Sequence, residues 1–197
     1  PYGLTADVLR TAMLEFIDFL GYINQQLNLR DLARLETMLM PANFSNLVGD
    51  FMLCAIPKHC PTLAKNAYHN GHPDLVPIGS YVGNSVLHGA DGIEVKASRN
   101  RSGWQGHNAE NVWLLIFMFD GNRQSDLDNN VRPIPFRFTR VAGAALLKSD
   151  WSEAGRGEGS RRTPTASVIK SGYHKIMANW IYEDIIPDQA EAQAGDP

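Results

Sequence analysis

Only two cysteines, Cys54 and Cys60, occur among the 197 residues. They are too few for a disulfide framework, so a reducing, cytoplasmic setting is expected. No apolar run approaches the roughly 20 residues that cross a bilayer, and the opening residues show no basic and apolar leader pattern. No membrane partner is therefore expected. There is also no glycine-rich phosphate loop and no internal repeat.

An excess of basic charge is missing too, since the formal net charge is −3. Taken alone, that sum argues against a nucleic-acid partner, but its distribution does not. Residues 1 to 93 carry five Lys/Arg and eight Asp/Glu, residues 94 to 175 carry thirteen and eight, and residues 176 to 197 carry none and five. The middle block is thus basic, as phosphate binding requires. The acidic run 183–197 reads as a solvated tail, leaving residues 1–182 as one domain with N-terminal helices over 1–57 and a core over 58–182.

Within this frame, the stretch from His72 to Ser98 concentrates the chemistry. Pro73-Asp74 opens it and Gly92-Ile93-Glu94-Val95-Lys96-Ala97-Ser98 closes it. Ile93, Val95 and Ala97 alternate with Glu94 and Lys96, so a strand would place the acid and the base together on one face. Two carboxylates suit a hard divalent cation such as Mg²⁺, which combines a couple of carboxylates with waters and substrate phosphate. A neighbouring ammonium can orient a water or stabilise negative charge on phosphorus. The plainer alternative is a solvated strand face on which Glu94 and Lys96 pair with each other.

Pro73-Asp74 with Glu94-Val95-Lys96 resembles the two half motifs of the PD-(D/E)XK phosphodiesterase superfamily, the type II restriction endonucleases in particular. The resemblance implies an α/β fold with a mixed central β-sheet flanked by helices. It assigns metal-ligand roles to Asp74 and Glu94 with Mg²⁺ as cofactor, and the catalytic lysine role to Lys96. It further implies double-stranded DNA as substrate, a homodimer cutting a short palindrome, and a prokaryotic cytoplasm. The family often carries an acid on the helix before the Pro-Asp strand, and Asp50 in Gly49-Asp50-Phe51 matches that feature. Asp50 either holds a water or a second metal there, or is an ordinary exposed helix acid; Glu36 is the weaker candidate. Two other readings stay open: a structure-specific repair or phage-defence nuclease, and a non-catalytic DNA-binding or assembly protein of the same fold.

Elsewhere, periodicity predicts helices over 5–20, 28–40 and 45–56, the second ended by Pro41 and the third by Pro57. The apolar run 112–119 predicts a strand buried on both faces beside the Glu-Val-Lys strand. Residues 135–141, with Phe136 and Phe138 on one face, predict a strand near the sheet edge, and 166–182 a closing helix. Cys54, His59, Cys60, His69 and His72 contain zinc-ligand chemistry, but without a close-spaced cysteine pair they read as a buried thiol and loop histidines. Arg99, Arg101 and Trp104 follow the catalytic strand and suit phosphate contact and groove packing, or form a charged connection. His107 is a candidate phosphate contact, and Gln105 and Asn108 are candidate base readers. Arg156, Arg161 and Arg162 lie in a glycine-rich stretch that reads as a DNA-groove element or a surface loop.

Overall fold

The computed structural model describes residues 1–106, 108–154 and 165–184. Among the described residues, nine strands and five α-helices build a mixed α/β fold, with a six-stranded sheet in the order β1-β2-β3-β5-β6-β9 and a three-stranded sheet β4-β8-β7. In the large sheet, β1 (Leu63–Lys65), β2 (Leu75–Pro77) and β3 (Ile93–Ser98) run antiparallel, and β3 then pairs in parallel with β5 (Val112–Asp120). On the far side of β5, β6 (Arg137–Leu146) and β9 (Trp180–Glu183) return to antiparallel pairing. Parallel neighbours need a crossover, and here residues 99–111 supply it through β4 (Gln105–Gly106) rather than through a helix.

β5 explains why both faces of the sheet are covered. Leu115, Phe117 and Phe119 pack on α1 (Ala6–Asn28) and α3 (Pro41–His59), while Leu114, Ile116 and Met118 pack on the small sheet and α5 (Lys170–Ala178). The first face is an aromatic cluster: Phe16 lies 5.1 Å from Phe136 and 5.8 Å from Phe138, ring centre to ring centre. On the second, Trp104 stacks on Tyr173 at 5.9 Å and 20°. A continuous apolar run is what a strand with two dry faces requires.

Several expected boundaries move, each for a local reason. α1 runs on to Asn28, and of residues 28–40 only α2 (Leu35–Met38) is helical. Asn24 Oδ1 accepts the Leu35 N–H at 2.8 Å, and Asp31 adopts a left-handed φ of 54°, so the chain turns back instead of continuing the helix. Pro41 does not end a helix but starts one, at the position where its missing N–H removes nothing. Pro57 sits inside the last turn of α3, which extends to His59.

The expected closing helix divides into β8 (Thr165–Val168), α5 and β9. β8 pairs with both β4 and β7 (Trp151–Ala154), and β9 covers the edge of β6, so strand pairing overrides the helical spacing of Ile169, Tyr173, Ile176 and Trp180. β6 is longer than expected and, with only β9 outside it among the described residues, lies one strand in from the sheet edge, near the edge as expected. β9 also draws Glu183 of the expected tail into the sheet, where it pairs with Arg140. Among the described residues, no helix is long and apolar enough to cross a membrane.

Candidate active site

Register brings Pro73-Asp74 and Glu94-Val95-Lys96 together. β2 pairs with β3 only through Leu75 and Ile93, so β3 beyond Ile93 has an open edge on that side. Asp74, one residue before β2, fills the first gap: its Oδ2 accepts the Val95 N–H at 2.8 Å, in place of a backbone carbonyl. The turn before Asp74 is fixed by buried Asn66, whose Nδ2 donates to Pro73 O at 3.0 Å and to Val86 O at 2.8 Å. Its Oδ1 accepts the Tyr68 and Val86 N–H groups at 3.0 and 3.1 Å. Asn66 thereby uses its full side-chain donor and acceptor set to hold backbone.

Glu94 and Lys96 project together from β3, and Lys96 Nζ donates to Glu94 Oε1 at 2.5 Å. The strand-face ion pair expected from the alternation therefore forms, and Asp74 sits beside it. Lys96, Asp74 and Asp50 line one open cleft of about 390 Å³ with Ser45, Asn46 and Asn70. Asp50 is an exposed residue of α3 at the rim of that cleft.

Beyond Glu94 a second cleft contains groups that spacing does not mark. The His72 imidazole bridges two carboxylates, with Nδ1 2.9 Å from Glu94 Oε2 and Nε2 against Glu110 Oε2. A continuous polar chain, Lys96–Glu94–His72–Glu110, results. His72 directly precedes Pro73-Asp74, and that adjacency was the available signal. Glu110 carries none, because only the parallel register of β3 with β5 brings it alongside.

These neighbours set the ionisation of the site. Burial, and then the adjacent Glu94 charge, push Asp74 up to about 7, against the Val95 N–H and Lys96. Burial also opposes the Glu94 charge, but the His72 hydrogen bond and the Lys96 and His72 charges outweigh it and hold Glu94 well below the usual carboxylate range. Lys96 loses to burial and gains more from Glu94, so it stays protonated above its ordinary range. Likewise, burial would lower His72, but Glu94, Glu110 and Asp74 together raise it.

This donor set fits a hard divalent cation. Asp74 is half-buried with its charge disfavoured by desolvation and by Glu94, a penalty that a cation would offset, and Glu94 uses two of about four acceptor sites on Lys96 and His72. Among the described residues, no three His, Cys, Asp or Glu side chains converge as a ready-made metal cage. The zinc reading gains nothing: Cys60 is buried with its thiol 3.3 Å from Thr62 Oγ1, Cys54 is exposed, and His59 contacts Glu15 at 2.8 Å.

The residues expected to contact DNA separate into three groups. Arg99 is engaged by the fold: its guanidinium donates to Gly121 O at 2.6 Å and Asn122 O at 2.9 Å, and lies 5.4 and 5.2 Å from the Phe44 and Phe119 ring centres. Trp104 is buried and donates its indole N–H to Asn100 O at 3.1 Å, so it is core and not groove packing. Arg101, Gln105 and Asn108 are exposed, and Asn108 lies at the second cleft with Glu110. His107, Arg156, Arg161 and Arg162 lie outside the described residues.

Glu36, the weaker acid candidate, is a structural hub. It is buried and accepts from Arg34 Nε at 2.7 Å and from the Asn24 and Asn122 amides at 2.9 Å each. Against family models, curated proteins and solved structures alike, the chain has no match.

Proposed function

We propose that the protein is a Mg²⁺-dependent endonuclease of the PD-(D/E)XK kind that hydrolyses phosphodiesters in double-stranded DNA, as a type II restriction enzyme does at a short palindrome. The observation that carries this reading is the convergence of Asp74, Glu94 and Lys96 at the open edge of β3, where Asp74 and Lys96 line a cleft with Asp50 and Glu94 joins it to the neighbouring cleft of His72 and Glu110. Solvated strand-face residues at such spacing have no reason to share a half-buried site with a second carboxylate from a neighbouring segment.

Mg²⁺, held by Asp74 and Glu94, would neutralise charge developing on the phosphodiester and raise the acidity of water. Lys96, charged at neutral pH and fixed by Glu94, orients the attacking water and stabilises negative charge at phosphorus. Asp50, at the rim, accepts a proton or a hydrogen bond from water entering the cleft. A homodimer follows from the two-fold match to palindromic DNA; sedimentation of the protein with DNA checks it.

The test that separates this reading from its neighbours compares binding with cutting. Phage DNA incubated with Mg²⁺ should give discrete bands that EDTA abolishes, and Asp74→Asn should bind DNA without cutting. Cutting confined to branched or flapped DNA would replace the restriction reading with a structure-specific one. Tight DNA binding with no metal-dependent cutting of any substrate would remove the nuclease.

A further inference from the structure

Glu94 is held from both sides. Lys96 takes Oε1 and His72 takes Oε2, which leaves the carboxylate no rotational freedom about its last torsion. His72 is itself fixed at the backbone, its N–H donating to Leu87 O at 2.9 Å and its carbonyl accepting the Gly89 N–H at 2.7 Å. Behind it, Glu110 takes the other ring nitrogen, and the Glu110 carbonyl accepts the Trp151 indole N–H at 3.0 Å. An imidazole anchored at both ring nitrogens and at its own backbone is a rigid strut. It also lies away from the Asp50–Asp74–Lys96 cleft, on the second cleft of about 380 Å³.

We propose that His72, backed by Glu110, is a positioning residue that orients the Glu94 carboxylate for cation binding; this rests on the endonuclease reading above. A ligating carboxylate left free to rotate presents its oxygens correctly only part of the time, and losing such an outer partner typically lowers metal affinity or activity about 10–100-fold. His72 touches neither water nor phosphate in this scheme, and Glu110 acts only through His72. The two residues therefore affect how tightly the metal is held and not how tightly DNA is bound.

Mn²⁺ serves as the probe, titrated into the protein alone and followed by the loss of its free-ion electron paramagnetic resonance signal. His72→Ala and Glu110→Ala should weaken Mn²⁺ binding by about 10-fold or more, and raise the Mn²⁺ needed for half-maximal cutting by the same factor, with the KM for DNA unchanged. His72→Gln, which can still donate to Glu94, should recover most of the affinity, and Glu110→Gln, of the same shape, guards against a folding artefact. Melting temperatures in EDTA report folding separately. Wild-type Mn²⁺ affinity in folded His72→Ala and Glu110→Ala overturns the proposal, as does a loss that Gln at 72 fails to recover. Wild-type protein that neither binds Mn²⁺ nor cuts DNA removes the nuclease reading, and the proposal with it.

Discussion

Glu36 shows how a single acid can be recruited by the fold instead of the chemistry. Burial disfavours its charge, but the hydrogen bonds from Arg34, Asn24 and Asn122 outweigh burial and hold its pKa below the ordinary range. Because the folded value is lowered, its contribution is present above the usual carboxylate range and is lost as pH falls through it. Glu36→Gln should therefore cost about 2–3 kcal/mol at neutral pH, and urea melts should show the gap to wild type closing under acid conditions. A gap that stays constant with pH would mean that the charge of Glu36 is not what the three donors hold.

Two neighbouring arginines make the same contrast in the basic block. Arg99 is tied to two carbonyls and two rings, whereas Arg101 is exposed and forms no ion pair with another described residue. Arg99→Ala should lower stability by about 3 kcal/mol and leave the salt dependence of DNA binding unchanged. Arg101→Ala should leave stability alone and reduce the log–log salt slope by about 0.9, the value for one phosphate contact. The sequence placed both in one class, because a guanidinium next to an aromatic reads the same whether it packs on its own core or on a ligand. Asp74, Glu94 and Lys96 were legible since their signal is local: a proline-led acid, and an acid and a base two apart on an alternating strand. Glu110 was not, as its place depends on which strands pair.

At the scale of elements, the site depends on how closely β2 and β3 approach. Gly92 has φ +146° at their junction, and a Cβ there would lie 2.3 Å from Leu75 O and 2.3 Å from Pro73 Cγ. Neither neighbour is a flexible side-chain end, so Gly92→Ala must push the two strands apart. It should lower stability by about 2 kcal/mol or more and cleavage by about 100-fold, since misplacing reacting groups by an ångström costs that much. Equal cleavage at full folding would show that Asp74 and Glu94 need not be held together. The same scale marks where periodicity failed. Residues 166–182 carry helical spacing, yet β8 and β9 are taken by partners at β4, β7 and β6, and no local pattern announces a partner distant in sequence. The run 112–119 was readable for the opposite reason, as two dry faces leave only apolar residues.

For the molecule as a whole, charge has to be counted after pairing. Lys96, Arg137, Arg140 and Lys175 of the basic block are each committed to carboxylates, so the excess in that block overstates what is available to phosphate. Arg101, Arg123, Arg132, Lys148 and Lys170 form no ion pair with another described residue. On the endonuclease proposal, these are the described cations of that block left to steer DNA toward a cleft whose own carboxylates repel it, a repulsion that a divalent cation would relieve. DNA binding should accordingly tighten when Ca²⁺ is added, measured by fluorescence anisotropy at fixed ionic strength. Binding that is indifferent to Ca²⁺ would separate the carboxylate site from the DNA-binding surface.

If Asp74, Glu94 and Lys96 form a hydrolytic site for DNA, the loss of Lys96 must all but abolish cutting while sparing binding. Conversion of supercoiled plasmid should be followed with Mg²⁺ for the wild type and Lys96→Ala at equal DNA occupancy. Mg²⁺-dependent nicking or linearisation is expected of the wild type and a loss of about 10²–10⁴-fold of the variant, the range for removing a group that assists proton transfer or charge stabilisation. Cutting by Lys96→Ala at the wild-type rate, or none by either protein, would contradict the hydrolytic assignment.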